Sequence, residues 1–373
     1  MNQINCPICG NKCVKAGKTK AGTQRWLCKK CKTSLTHKID NDSKELQIFL
    51  DWLFGKETQS IMPGEGRTFR RKTARFWDIW PMLPKIEETK DVLFLDGIYL
   101  GRKACVLICC DEKNVLGWYL CRYEHAGAWI ALMKRIAEPR MVVSDGGTGF
   151  AKALKKVWPI AKHQRCIFHV FCQIKRYTMS KPNTLAGVEL YCLAKDLLKI
   201  KEKQEAETWV TRFTEWIKKY QKFLSEMTVD EHGNKRPTHE RLLKAERSLL
   251  KLIKENTLFT YLDKEFINDF IAPSTNNRIE GGINSRLREM LRNHRGLSIE
   301  RRIKAVYWWC YMHSPEPLSL SEIIKTMPTD RSIAAIYQRM NDKSRLEKSL
   351  SLWGDAIVWS DLHKTDKSFT EWD

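Results

Sequence analysis

Residues 91–100 have the sequence DVLFLDGIYL, an apolar run with one carboxylate, Asp96, in its interior. Two further apolar runs follow at 104–111 and 115–124, each after a short polar turn. This spacing predicts a β-meander of three antiparallel strands. A charged side chain inside an apolar strand is costly unless it is paired or binds a metal. Asp96 is therefore the first candidate functional residue.

After the meander, the pattern alternates between helix and strand. It predicts a helix at 126–138, a strand at 141–145, a helix at 148–158 and a strand at 163–168. The sequence therefore predicts an α/β protein with a mixed sheet and helices on both faces. In that strand order the first and fourth strands are neighbours. Asp145, at the carboxyl end of the fourth strand, is expected to lie close to Asp96, where open sheets place ligand groups.

A long helical segment separates this sheet from the next motif. Residues 171–270 are helical in pattern and carry 19 basic and 15 acidic side chains, so their charge is nearly balanced. Amphipathic helices are then predicted at 278–294 and 298–313. Residues 314–373 contain three prolines and are expected to form an accessory tail with short helices.

Glu280, at the start of the helix predicted at 278–294, is the third candidate carboxylate. Apolar neighbours are expected to face the core, which leaves Glu280 and Asn284 side by side near the sheet edge. Asp96, Asp145 and Glu280 together suit two Mg²⁺ (or Mn²⁺) ions, one activating an attacking water or hydroxyl and the other stabilising the leaving oxygen. Taken singly, Asp145 could instead cap a helix, and Glu280 could simply favour a helix N-terminus.

Four of the 13 cysteines form two Cys-x-x-Cys pairs, Cys6 with Cys9 and Cys28 with Cys31, with eighteen residues between the pairs. Two such knuckles supply four thiolates for a tetrahedral structural Zn²⁺ site. A redox pair is the minor alternative, and Cys13 could replace Cys9 in a looser site.

The formal net charge is +21, and residues 1–40 alone hold +8. A basic excess of this size favours a polyanionic partner, above all double-stranded DNA; a generic basic surface that aids solubility is the alternative. Residues 43–80 predict two helices, capped by Ser43 and Thr68, of which the second is basic. They suggest a helix-turn-helix reader or a solvated helix packed on the next domain. The residues expected to contact DNA are Lys29, Lys30, Arg67, Arg70, Arg71, Arg75, Arg286 and Arg288.

Membrane insertion and secretion are not expected. The sequence has no apolar run of roughly 18 residues, and the N-terminal residues lack the apolar core of a signal peptide. The expected location is the cytoplasm, in association with the nucleoid.

Four motifs occur in an order that resembles the mutator-type DDE transposases of bacterial insertion sequences, in particular a subgroup that bears a zinc ribbon. They are Leu-Asp96-Gly, Val-Val-Ser-Asp145-Gly-Gly, Arg-Cys166-Ile-Phe-His169 and Thr-Asn-Asn-Arg-Ile-Glu280. The resemblance implies a ribonuclease H-like core interrupted by a helical insertion before the catalytic Glu. It also implies that Cys166 and His169 lie beside the active site, rather than acting as zinc ligands.

The resemblance covers roughly residues 90–312, and together with the sequence pattern it divides the chain into a zinc ribbon (1–40), a DNA-binding region with linker (41–89), a first core part (90–170), a helical insertion (171–270), a second core part (271–313) and an accessory region (314–373). It implies an enzyme that binds the terminal inverted repeats of a mobile element, cleaves DNA and transfers the strand, as a homodimer or higher synaptic complex. The alternatives are a nuclease that joins nothing and a DNA-binding regulator with a dead core.

Overall fold

The computed structural model describes residues 4–6, 9–36, 41–229, 231–264, 266–267 and 270–344. Within these residues, no helix combines the length and the apolar character that crossing a membrane requires. The tail beyond residue 344 lies outside the described residues.

The N-terminal module is a small antiparallel sheet of β1 (Cys13–Lys18), β2 (Gln24–Cys28) and β3 (Ser34–Thr36), in that order. Its buried centre consists of cysteine side chains, with Trp26 and Leu35 packed against them. A module whose interior is mostly thiols has too little apolar surface to fold on its own, which is typical of domains held by a metal.

Two helices follow, α1 (Asp42–Phe54) and α2 (Arg67–Thr73), and α2 continues as a 3₁₀ turn. Both predicted caps were wrong. Ser43 lies inside the first turn of α1, which begins one residue earlier, and α2 begins after Gly66, whose φ of 78° starts the helix without a side-chain cap. Gly55 ends α1.

The apolar faces of α1 and α2 are buried in one core cluster, which also contains one face of the central five-stranded sheet described below. The Phe49 ring lies 4.9 Å from the ring of Trp77 and 6.0 Å from that of Trp308. This region is therefore packed on the core, while Arg67, Arg70 and Arg71 remain exposed.

Five strands form the central sheet: β4 (Val92–Leu100), β5 (Ala104–Cys110), β6 (Val115–Cys121), β7 (Met141–Ser144) and β8 (Lys162–Arg165). The order across the sheet is β6-β5-β4-β7-β8. The pairs β4–β5 and β5–β6 are antiparallel, and β7 and β8 run parallel to β4. The predicted meander and the predicted neighbourhood of the first and fourth strands are confirmed.

Two helices pack on the face of this sheet opposite to α1 and α2: α3 (Ala126–Met133) and α4 (Thr148–Val157). The helix predicted at 126–138 ends early, because Ile136 leaves it to form a bridge with Ile86. The strand predicted at 163–168 was also too long. A helix begins at Ile167, with Ile167 and Val170 buried on one side of it, so the strand ends before them.

The segment between the sheet and the third carboxylate folds as α5 (Ile167–Thr178), α6 (Leu185–Leu197), α7 (Lys203–Leu224) and α8 (Glu240–Lys254). A hairpin of β9 (Met227–Val229) and β10 (Lys235–Pro237) lies between α7 and α8. The tryptophans of α7 anchor the bundle: Trp209 donates from its indole N–H to the Leu193 carbonyl, and Trp216 to the Ala186 carbonyl.

The last part begins with a π-helical turn, Arg278–Asn284, and continues as α9 (Ser285–Asn293), α10 (Ile299–Met312), α11 (Leu320–Thr326) and α12 (Asp330–Ser344). The chain before α12 pairs with the linker that precedes the sheet. Ile79 forms an antiparallel bridge with Thr329, and the Trp80 N–H donates to the Pro328 carbonyl.

A buried lysine stabilises this contact between the C-terminal helices and the linker before the sheet. Lys304 on α10 is fully buried, and its Nζ lies 2.7 Å from Glu300 Oε1 and 2.6 Å from Asp330 Oδ2. The indole N–H of Trp80 donates to Asp330 Oδ1 over 2.6 Å. We expect Lys304→Ala to lower the free energy of unfolding by about 3–5 kcal/mol, because it leaves two half-buried carboxylates without their cation.

Urea unfolding of the purified chain measures this effect. Lys325→Ala, on the exposed face of α11, is the matched control and should change the free energy of unfolding by no more than about 0.5 kcal/mol. Equal effects of the two substitutions would contradict a stabilising role for the Lys304 contacts.

Candidate active site

Asp96 lies in the middle of β4 and is held by two donors. Its Oδ1 accepts from the Gly97 N–H over 2.9 Å, and its Oδ2 accepts from the Asn284 side-chain amide over 2.7 Å. Burial, opposed by the Gly97 hydrogen bond and reinforced by the charge of Asp145, raises the pKa of Asp96 to about 6. Two donors therefore fix this carboxylate in a place where ionisation is costly.

Asp145 directly follows β7, whose last residue, Ser144, pairs with Leu95 in the parallel register. Asp145 therefore follows Ser144 at the carboxyl end of β7, next to Asp96 on the neighbouring strand. Its Oδ1 accepts from the Gly147 N–H over 3.1 Å, so Asp145 closes the turn before α4. Gly146 has a φ of +75°, and any Cβ there would collide with the Arg165 guanidinium.

Glu280 lies in the π-helical turn, where a helix start was predicted. Burial, with smaller contributions from the charges of Asp96 and Asp145, raises the pKa of Glu280 to about 7. Arg288 opposes this effect on both Glu280 and Asp96. The structure thus brings the three predicted carboxylates into one electrostatic group.

Asn276 and Asn284 tie this turn to the sheet. Asn276 donates from its side chain to the Leu95 carbonyl over 3.2 Å, and from its backbone to Cys166 Sγ over 3.2 Å. Asn284 was predicted beside the site and contacts Asp96 directly. Asn276 was missed, although it lies in the quoted motif around Glu280, because nothing in its spacing showed that it would be buried.

Cys166 and His169 lie beside Glu280, as the resemblance implies. The three residues each offer a ligand atom, all within 4.8 Å of one another. His169 Nδ1 is 3.3 Å from Glu280 Oε1, without the geometry of a hydrogen bond. Burial raises the pKa of the Cys166 thiol and lowers that of His169.

A further acidic side chain, Glu124, lies against Gly97 of β4 in the segment between β6 and α3. Burial raises its pKa to about 7, and the charges of Asp145 and Asp96 add to the shift. The sequence predicts Glu124 as the last residue of the apolar strand at 115–124, whereas in the structure β6 ends at Cys121 and Glu124 follows it.

Several polar atoms around the carboxylates are buried without a hydrogen-bond partner. The acceptors among them are Oε1 of Glu280 and Oδ1 of Asn276 and Asn284. Two nitrogens of the same region, Nη1 of Arg165 and Nδ1 of His169, are also buried without a partner. Buried acceptors normally find a donor, so the three oxygens are available as ligand atoms. Hard oxygen ligands of this kind suit Mg²⁺ or Mn²⁺, and the residues present therefore fit the predicted ions.

The cysteines of the N-terminal module also come together. Cys6, Cys9, Cys28 and Cys31 form a group that could hold a metal. Sγ of Cys6 lies 3.4 Å from that of Cys31, and Sγ of Cys9 lies 3.4 Å from that of Cys28. Hydrogen bonds with Thr33 lower the pKa of Cys31 to about 6, which favours the thiolate that Zn²⁺ binds. Cys13 is not in this group.

The predicted DNA-contacting side chains are distributed over three surfaces. Lys29 and Lys30 are exposed at the second cysteine knuckle, and Arg286 and Arg288 are exposed on α9 near Glu280. Of the basic residues after α1, Arg75 is already engaged: its guanidinium lies 2.8 Å from Asp42 and 2.7 Å from Glu45. The exposed residues Arg67, Arg70 and Arg71 are the stronger candidates there.

Comparison with known proteins gives consistent matches. Residues 104–234 match the sequence model of the family described as "Transposase, Mutator family". The chain is 28% identical over 159 residues to the transposase for insertion sequence element IS905 of Lactococcus lactis subsp. lactis (strain IL1403), covering 38% of this chain and 40% of that protein. It is 28% identical over 156 residues to the transposase for insertion sequence element IS6120 of Mycolicibacterium smegmatis, covering 37% of this chain and 46% of that protein.

The chain thus spans less than half the length of these curated relatives. The family match covers the segment from β5 to the β9–β10 loop, which includes Asp145, Cys166 and His169. Over the segment that they cover, the family match and both relatives thus show that this chain is similar to Mutator-family transposases of insertion sequences.

Proposed function

We propose that this protein is a DNA transposase that binds the terminal inverted repeats of an insertion sequence and catalyses metal-dependent DNA cleavage and strand transfer. The observation that carries the proposal is that the charges of Asp96, Asp145 and Glu280 act on one another, with the Asn284 side chain joining the turn of Glu280 to Asp96. In this proposal β4–β8 form a ribonuclease H-like core, and α5–α8 form the helical insertion within it.

The three carboxylates would hold two divalent ions, with Asn284 orienting Asp96. When bound, such ions supply Lewis-acid activation of the attacking oxygen and stabilise the leaving oxygen. The Asn284 amide keeps Asp96 aimed into the site, and the Gly146–Gly147 turn does the same for Asp145. Arg288 is placed to neutralise phosphate charge, because its charge already acts on Asp96 and Glu280.

The proposed cleavage and strand transfer need no covalent enzyme intermediate. Water attacks a phosphodiester at the element end, the bond from phosphorus to the 3′ oxygen breaks, and a free 3′-hydroxyl results. That hydroxyl then attacks a phosphodiester of target DNA, so that one phosphodiester forms as another breaks. Because two ends must be joined, we propose a homodimer or higher synaptic complex working at the nucleoid.

The N-terminal module and the basic residues of α2 are proposed to read the element ends. Their exposed lysines and arginines supply a salt-dependent attraction to phosphate, and the packing of α1 and α2 on the core connects them to the catalytic sheet.

One assay separates this proposal from its alternatives. The full-length protein is incubated with DNA carrying the element ends, in Mg²⁺ or Mn²⁺, and pre-cleaved ends are offered a target plasmid. A transposase cleaves and produces joined molecules. Cleavage without joined molecules from pre-cleaved ends indicates a nuclease, and end binding without cleavage in either metal indicates a regulator. Both of these results contradict the proposal.

A further inference from the structure

We propose that Cys166, His169 and Glu280 form a binding site for a transition-metal ion of the Zn²⁺ class, which shares Glu280 with the proposed Mg²⁺ centre. The cysteine and the histidine lie at the start of α5, and the glutamate lies in the π-helical turn. The site itself stands on the placement of these three side chains, whereas its effect on catalysis rests on the proposed function.

The three ligand atoms are close enough to surround one ion. His169 Nδ1 lies 3.3 Å from Glu280 Oε1. Nitrogen and oxygen ligands bind Zn²⁺ at about 2.0–2.1 Å, so two of them at tetrahedral corners lie about 3.3 Å apart. The Cys166 sulfur is within 4.8 Å of both residues' ligand atoms, and a tetrahedral thiolate ligand keeps roughly 3.6 Å from its neighbours. The sulfur therefore needs a shift of only about 1.2 Å or less to complete the set.

The atoms that face each other have no other partner. Nδ1 of His169 and Oε1 of Glu280 are both buried without a hydrogen bond. Buried polar atoms are normally satisfied, so an unsatisfied pair at 3.3 Å indicates a further group that binds both. A metal ion does so, because a neutral imidazole nitrogen and a carboxylate oxygen each offer it a lone pair.

The Cys166 side chain is held in the way that ligand thiolates are held. It is buried at the residue before α5, and its Sγ accepts from the Asn276 backbone N–H over 3.2 Å. Such a donor stabilises a thiolate and fixes the orientation of the ligand. The Asn276 side chain in turn donates to the Leu95 carbonyl, so the sulfur and the π-helical turn are fixed on the same strand.

The ligand set selects the class of ion. A thiolate and an imidazole favour Zn²⁺ or Co²⁺ over Mg²⁺. Three protein ligands leave a fourth position open, and the partly exposed side chains of His169 and Glu280 give an ion access from solvent. The Cys-x-x-His spacing by itself supplies two ligands and was therefore interpreted only as a neighbour of the active site. The third ligand comes from the folded π-helical turn.

The experiment follows Co²⁺, a spectroscopic substitute for Zn²⁺, on the full-length protein without DNA. One equivalent of Zn²⁺ is added first to fill the four-cysteine group of the N-terminal module, because thiolate sites prefer Zn²⁺ to Co²⁺. Co²⁺ is then titrated. We expect one further Co²⁺ per chain, with a thiolate-to-Co²⁺ charge-transfer absorption and a raised Tm.

Cys166→Ser and His169→Asn should each weaken this Co²⁺ binding at least about tenfold, since losing even an outer hydrogen-bond partner of a ligand costs that much. Cys172→Ser, which removes a thiol further along α5, is the matched control and should keep the absorption. Glu280→Gln should also weaken Co²⁺ binding, and Glu215→Gln, on the exposed face of α7, is its control.

Two results would overturn the site. One is charge-transfer absorption that survives in Cys166→Ser. The other is a Co²⁺ affinity within about twofold of the unmodified protein in both Cys166→Ser and His169→Asn. The unfolding midpoint of each variant shows that a loss of binding is not a loss of folding.

Asp96→Asn separates the site from the proposed function. Asp96 is not a ligand here, so this variant should keep the Co²⁺ absorption while it loses DNA cleavage. Co²⁺ binding weakened as much as in Cys166→Ser would place the ion among the carboxylates and overturn the inference. Co²⁺ absorption in an unmodified protein that cleaves no DNA in Mg²⁺ would overturn the proposed function and leave the site standing.

The effect on catalysis is tested with a second equivalent of Zn²⁺. It should slow Mg²⁺-dependent cleavage by the unmodified protein at least about tenfold, because it engages Glu280 and adds positive charge beside the proposed ions. In Cys166→Ser the same Zn²⁺ should change that variant's own rate by less than about twofold. Equal slowing in both proteins would overturn the effect of this site on catalysis.

Discussion

Asp96→Asn, Asp145→Asn and Glu280→Gln are each expected to reduce DNA cleavage and strand transfer at least about a thousandfold. Each substitution removes one anionic oxygen ligand from the proposed ions while keeping the size of the side chain. A thousandfold loss corresponds to about 4 kcal/mol of transition-state stabilisation, the scale of a metal ion's contribution to such a step. The measurement is the single-turnover rate of cleavage and of strand transfer from pre-cleaved ends, in Mg²⁺.

Glu215→Gln serves again as the control and should retain full rates. Folding of each variant is checked by its unfolding midpoint. A well-folded variant with near-normal rates would remove that residue from the catalytic assignment, whatever the others show.

The same substitution at Asp96 has a second expected effect, on stability. The pKa of Asp96 is raised to about 6 in the folded protein, so the folded state holds its proton more tightly than the unfolded state. The stabilisation is fully present below the unfolded pKa, near 4, and is lost as the pH rises through about 6. Asp96→Asn does not titrate, so its Tm relative to the unmodified protein should rise from about pH 4 to about pH 8, both without metal.

Removal of the metal from the N-terminal module is the second large effect that we expect. Cys28→Ser should lose the bound Zn²⁺, unfold the module and weaken binding to element ends at least about tenfold. The buried centre of this module is Cys6, Cys13 and Cys28, so no apolar core remains to hold β1–β3 together. Metal binding supplies the folding free energy in such small modules, about 10–16 kcal/mol in zinc-finger peptides.

Zinc content by atomic absorption and the fluorescence of the purified protein measure this loss, and DNA binding is followed by a mobility shift. Cys13→Ser is the matched control: it removes a buried thiol of the same module that lies outside the four-cysteine group, and it should retain Zn²⁺. Unchanged zinc content in Cys28→Ser, or loss of zinc in Cys13→Ser, would contradict the assignment of the four ligands.

The sequence predicted the neighbourhood of Asp96 and Asp145 because it follows from strand order alone. Apolar runs and their turns define β4 to β7, and only a few sheet topologies join such elements. The helix caps were wrong because Ser43 and Thr68 are suitable cap residues whose actual role depends on where the helix packs. Local propensity cannot decide between neighbouring start positions.

The parts of the site that escaped prediction depend on distant contacts. Asn276 resembles an ordinary loop residue until the sheet and the π-helical turn are assembled around it. The π-helical geometry of Arg278–Asn284 was likewise hidden, because its residues also fit an ordinary helix. Such turns occur often at functional sites, but the sequence alone predicts only a helix that includes Glu280.

The hydrogen bond between Asn284 and Asp96 joins residues that are 188 positions apart. During synthesis, β4 leaves the ribosome long before the partner that completes its carboxylate site, and α5–α8 must form in between. Contacts of such sequence separation are made late, since the loop they close is costly to order. A nascent or truncated chain that ends within the helical bundle therefore carries Asp96 and Asp145 without Glu280. The proposed capacity to cut DNA would be acquired only once the chain has been made and folded at least as far as Asn284.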